Sequence, residues 1–144
     1  NDAQGLTTDL HFPAGVVEVT TTLRLTPTIA PDVPNQTFAG HALDLAVYQN
    51  GAPQPELMFN EPVTLTIRYS DADVRLVSDE SELTIRQWNG SVWEDAAERC
   101  APASAYERDE TNNLIRLSIC GTGRLALFGP THQQHLPLVF RPNQ

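Results

Sequence analysis

Residues 17–26 read VEVTTTLRLT, and their alternation decides the fold. Val17, Val19, Thr21, Leu23 and Leu25 fall on one face, and Glu18, Thr20, Thr22, Arg24 and Thr26 on the other. That is the period of two of a strand buried on one side. Before it, residues 8–12 predict a shorter strand ended by Pro13-Ala14-Gly15, and after it the Pro-rich residues 27–35 predict a long connection. Residues 41–49 alternate through Leu43, Leu45 and Val47 and stop at Asn50-Gly51, strong turn chemistry. Val63, Leu65, Ile67 and Tyr69 form the inner face of the next strand, which Pro62 is expected to start.

Asn89-Gly90 lies between two strand-like runs, residues 83–88 and 91–95. A two-residue loop there pairs Trp88 with Ser91 and Arg86 with Trp93, so that Arg86, Trp88 and Trp93 share one face. Leu83, Ile85 and Val92 then share the other. Residues 114–120 and 124–128, joined at Gly121-Thr122-Gly123, complete the body. The expected fold is all-β, a two-sheet antiparallel β-sandwich with a detached C-terminal strand. The body covers residues 1–129, and residues 130–144 are a hinge plus an apolar strand, in the same domain or donated to a neighbour.

A chain of 144 residues with 11 Pro and 8 Gly fits one such domain. All nine basic residues are Arg, which excludes Schiff-base lysines, phosphate-loop lysines and lysine isopeptide crosslinks. A net charge of −9 repels nucleic acid and anionic membrane surfaces. No apolar run reaches the roughly 18 residues of a membrane span, and no signal peptide is visible at Asn1, so the chain reads as mature and soluble. Cys100 and Cys120 lack zinc or redox spacing; a disulfide is the better reading, two buried thiols the other. A disulfide implies an extracellular or cell-surface location.

The segments LHFPAGVVEVTTTLRLTP (residues 10–27), PVTLTIRYSDADV (62–74), RQWNGSVWED (86–95) and LALFG (125–129) carry a family resemblance. They resemble bacterial secreted and surface relatives of the β-sandwich domain shared by zona-occludens proteins, netrin receptors and ankyrins. The resemblance implies a sandwich in an extracellular setting, with cysteines near residue 100 and before the final body strand, and a short apolar closing segment like HLPLVFR. Some animal relatives cleave themselves at a His-Phe-Ser site in the last body strand. Here the matching stretch is Cys120-Gly121-Thr122-Gly123, with neither histidine nor serine, so self-cleavage does not carry over.

His132 and His135 have a metal-like spacing but no further ligands nearby in sequence, since His11 and His41 are distant. Asp71, Asp73, Asp79 and Glu80 offer oxygens for Ca²⁺, yet lack the glycine and closing glutamate of an EF-hand loop and read as a solvated turn. No metal and no cofactor is expected. Arg86, Trp88 and Trp93 suit a sugar-stacking platform or a protein contact, or else face the core. No nucleophile motif and no carboxylate pair in a cleft points to an enzyme. Asn35 and Asn89 each head an N-glycan acceptor triplet, and a glycan at Asn89 would disturb a tight turn.

Beyond the body, Leu136, Leu138 and Phe140 alternate and Val139 adds bulk, so residues 135–141 form an apolar ribbon. Burying the three alternating side chains contributes roughly 5 to 9 kcal/mol. Fixing seven backbones costs about 7 to 14 kcal/mol, so the ribbon also needs the hydrogen bonds of a sheet edge. The expected function is a non-enzymatic extracellular subunit that assembles head to tail with identical subunits into a filament, a terminal strand completing the neighbour's sheet. The alternative is a monomeric surface module that recognises glycan or protein through its Trp-bearing hairpin.

Overall fold

Alternating apolar residues become two facing sheets. The computed structural model describes residues 7–17, 21–29 and 32–131. Ten strands run through them: β1 (Thr8–His11), β2 (Thr21–Pro27), β3 (Gln36–Gln49), β4 (Ala52–Gln54), β5 (Met58–Arg68), β6 (Thr84–Trp88), β7 (Trp93–Asp95), β8 (Glu107–Asp109), β9 (Leu114–Gly121) and β10 (Gly123–Pro130). The first sheet has the order β1-β5-β9-β8. The second has β2-β3-β10-β6-β7, with β4 beside β3, and the strand pairings among the described residues are antiparallel throughout.

Between the sheets Val63, Leu65 and Ile67 of β5 and Ile115, Leu117 and Ile119 of β9 meet Leu43 and Leu45 of β3, Ile85 of β6 and Leu125 and Leu127 of β10. Each such side chain contributes about 1.5 to 3 kcal/mol by leaving water, and this layer makes the domain a β-sandwich. The outer face of the first sheet is polar: Arg116 donates to Thr66 and, at 2.8 Å, to Glu107. Cys100 and Cys120 are disulfide-bonded, which ties the 3₁₀ turn Ala96–Arg99 to β9. No helix among the described residues is long and apolar enough to cross a membrane.

Asn50 and Gly51 both have positive φ, 52° and 76°, and join Gln49 to Ala52 as a two-residue turn. The Asn89-Gly90 hairpin differs from expectation. Trp88 pairs with Trp93 and Arg86 with Asp95, leaving a four-residue loop. The Asn89 carboxamide oxygen causes this by accepting from the Ser91 and Val92 amides, an Asx turn that uses up two more residues. The slip is by an even number, so Arg86, Trp88 and Trp93 still share a face, whereas Val92 is in the loop and exposed.

Pro62 does not start its strand. It sits inside β5, where the register with β9 breaks between Met58 and Val63 and no ladder hydrogen bond is asked of its nitrogen. Gly129 continues β10 against Thr37, Pro130, read from sequence as the start of the hinge, continues it against Gln36, and Thr131 bridges Val77. Gly129 permits this because a Cβ there would lie 2.4 Å from Val77 Cγ1. The body therefore extends to Thr131. Residues 18–20, within the strand expected over 17–26, and the ribbon bearing Leu136, Leu138, Val139 and Phe140 lie outside the described residues.

Candidate functional site

Two surfaces combine exposure with unspent bonding capacity. The first is the border where β1 and β2 approach each other. β2 is an outermost strand, paired to β3 by one edge, and residues 22–27 have no strand on the other edge among the described residues. Leu23 and Leu25 point inward, in register with Val47 and Leu45. Leu23 packs against the core, yet Leu25 is 42% exposed. A notch of about 230 Å³ opens there, lined by Leu25, Pro27, Leu43, Thr8 and His41 among others. Among the described residues the sandwich is thus unfinished at this border: the bare backbone edge of residues 22–27 lies beside an exposed inward leucine.

The notch is rigidly backed. His41 is 6% exposed, and its Nε2 is 3.3 Å from Asp73 Oδ2. Asp73 accepts from the Ser70 amide at 2.8 Å, and its own amide donates to Ser70 Oγ. Gly40, at φ +77°, lets the β3 backbone pass this carboxylate.

The second surface is the outer face of the second sheet. Asp44 and Arg124 are cross-strand partners, as are Trp88 and Trp93. The Trp88 and Trp93 ring centroids are 5.9 Å apart at 49°, and Trp93 continues edge-on to Phe128, itself edge-on to Phe38. Phe128 is buried, whereas Phe38 is 40% exposed. Two hollows adjoin the indoles. One, about 320 Å³, includes Asp44, Glu56, Asn89 and Arg124; the other, about 360 Å³, is formed by Asp32, Trp88, Trp93 and Arg124. Trp88 and Arg124 belong to both.

Other residues singled out in the sequence have structural partners. Asp71 accepts from Asn113, Glu80 from the Tyr69 hydroxyl, and Asp79 from the Ser81 amide and hydroxyl. The Ser81 bonds hold the Asp79 carboxyl below its ordinary range. These acidic groups point to separate partners, and no group of three or more metal-ligating side chains is found among the described residues. His11 is exposed on β1; His132 and His135 lie outside the described residues. Asn89 spends both ends of its carboxamide inside its turn, donating to Glu94 as well as accepting, whereas Asn35 is an exposed turn residue at φ 61°.

Sequence reading brought Arg86, Trp88 and Trp93 together correctly but missed Asp32, Asp44 and Arg124. These come from positions far apart in the chain and carry no local motif. It also missed Leu25 as an exposed residue, since periodicity reports which way a side chain points and not what covers it. No family model, curated protein or solved structure matches this chain.

Proposed function

We propose that this protein is a non-enzymatic extracellular structural subunit that assembles head to tail, the apolar ribbon of one copy completing the second sheet of the next along β2. The unfinished β2 border carries this reading. An added strand there would satisfy the backbone edge of residues 22–27 and cover Leu25 with alternating apolar side chains such as Leu136, Leu138 and Phe140.

Chain length favours exchange between copies over return to the same sheet. The body holds the chain as far as Thr131, which leaves residues 132–134 as hinge, a reach of about 10 Å. Pro27 pairs with Leu43, seven residues along β3 from Gln36, where β10 ends. At about 3.3 Å per residue that is roughly 20 Å along the sheet, with β3 still to be crossed. A contact between unlike patches repeats head to tail, and it generates an open filament wherever its rotation does not close a ring. The disulfide fits an oxidising compartment, and the resemblance to secreted and surface sandwich domains points the same way.

Electron microscopy of the intact chain should show rods. Removing residues 132–144, or placing Asp at Leu25, should leave monomers, and a synthetic peptide of residues 132–144 should bind the truncated body saturably. Rods that persist after truncation, or an intact chain that stays monomeric at high concentration, would sink the proposal.

A further inference from the structure

The outer face of the second sheet is remote in role from the β2 border and has chemistry of its own. We infer that the two hollows flanking Trp88 form a continuous cradle for a neutral polysaccharide, independently of strand exchange. Three observations carry this. First, the hollows share Trp88 and Arg124, lie open side by side, and have volumes of about 320 and 360 Å³. Each falls in the range of ordinary ligand sites, about 300 to 1,000 Å³, and together they suit successive units of an extended chain better than one enclosed molecule.

Second, polar groups there are uncommitted. Asp44 and Arg124 are opposite charges on directly paired residues, yet neither side chain makes an ion pair or a hydrogen bond among the described residues, and nor does that of Asp32. A carboxylate accepts, a guanidinium donates, and sugar hydroxyls need both beside an apolar surface for their C–H faces. Trp88 and Trp93, tilted at 49° and so not stacked flat on each other, provide that surface. Third, polar atoms on this face lack partners: Thr84 Oγ1, Arg86 Nε and Trp93 Nε1 are buried without a hydrogen bond. This face is not arranged for stability alone, since each such atom carries a desolvation cost.

Charge selects among glycans. Asp32 and Asp44 flank Arg124, the one cation lining the two hollows among the described residues, and Glu56 is itself paired with Arg99; on a chain of net charge −9 this disfavours uronic acids and sulfated sugars. The ligand is therefore a neutral chain of pyranose units.

The test titrates the intact chain with neutral hexaoses of β-1,4-glucan, β-1,3-glucan, xylan and mannan, and with an oligogalacturonate, reading tryptophan fluorescence and heat. At least one neutral hexaose should bind saturably. Trp88→Ala should weaken binding about ten-fold or more, equivalent to at least about 1.4 kcal/mol. The double variant Asp44→Asn, Arg124→Gln should weaken it comparably with an unchanged urea midpoint, which guards against misfolding of the tryptophan variant. Absence of saturable binding to every neutral hexaose, binding that survives both variants, or preference for oligogalacturonate would overturn the inference.

Discussion

Tyr106 brings its hydroxyl to the backbone of Ile85, accepting from the Ile85 amide at 3.0 Å and lying 3.1 Å from the Ile85 carbonyl oxygen. β7 ends at Asp95, so the hydroxyl occupies the place of the next ladder rung, and it also donates to the Asp95 carboxylate that caps the Ala96–Arg99 turn. One side chain thus ends a hairpin and starts a turn. Tyr106→Phe keeps the ring and strands the Ile85 amide, so a loss of about 1 to 3 kcal/mol is expected by urea unfolding. Gly40 offers a second measurement. A Cβ there would sit 2.1 Å from Asp73 Oδ1, whereas Gly15, also at positive φ, has open space around it. Gly40→Ala and Gly15→Ala share backbone strain of about 1 kcal/mol. The Gly40 variant alone must also push Asp73 off the Ser70 amide, and its urea midpoint should fall clearly further; equal midpoints would show that Asp73 relaxes freely.

Among the elements, the segment between β7 and β9 holds little regular structure and is stapled at several points. Arg99 donates to Glu94 at 3.0 Å and to Glu56, and the disulfide closes a separation of 20 residues. On the chain-entropy model such a closure contributes roughly 3 kcal/mol. Replacing both cysteines by alanine should remove about that much, read from urea midpoints with and without reductant. A loss near zero would mean that the Arg99 contacts and β8 hold the segment unaided. Residues 22–27 of β2 differ, because no strand lies on their outer edge among the described residues; hydrogen exchange there should be faster than in β3 and should slow when the 132–144 peptide binds.

At the scale of the whole molecule, buried Tyr69 and half-buried Tyr106 link stability to alkaline pH. Burial, then the Glu80 charge and hydrogen bond, push Tyr69 up to about 12. Burial, then the bond to Asp95, raise Tyr106 as well. Below the unfolded value of about 10 both states keep the phenolic protons and stability does not change on their account. Above it the unfolded chain releases protons that the folded chain retains, so the unfolded state binds fewer and stability falls as pH rises. The urea midpoint should hold between pH 7 and 9 and drop from pH 10 towards 12, the Tyr69→Phe variant dropping less. A flat profile through pH 12 would contradict the burial assigned to these rings.

Period-two alternation across residues 17–26, 41–49 and 63–69 made the β-sandwich legible in the sequence, because a strand buried on one face has to place its apolar residues at every second position. The shared face of Arg86, Trp88 and Trp93 was legible for the same reason, and the parity survived an error in the turn. Only the tertiary structure decided that the Asn89 side chain would lengthen that turn, that Gly129 would carry β10 past Val77 to Thr131, and that Thr122 would take the chain from one sheet to the other. It alone decided also that Leu25 lies uncovered and that Asp32, Asp44 and Arg124 gather around Trp88. Alternation is a property of one strand and its neighbours in sequence. Coverage, close approach and convergence depend on residues tens of positions away, and their positions are known only once the sheets have packed.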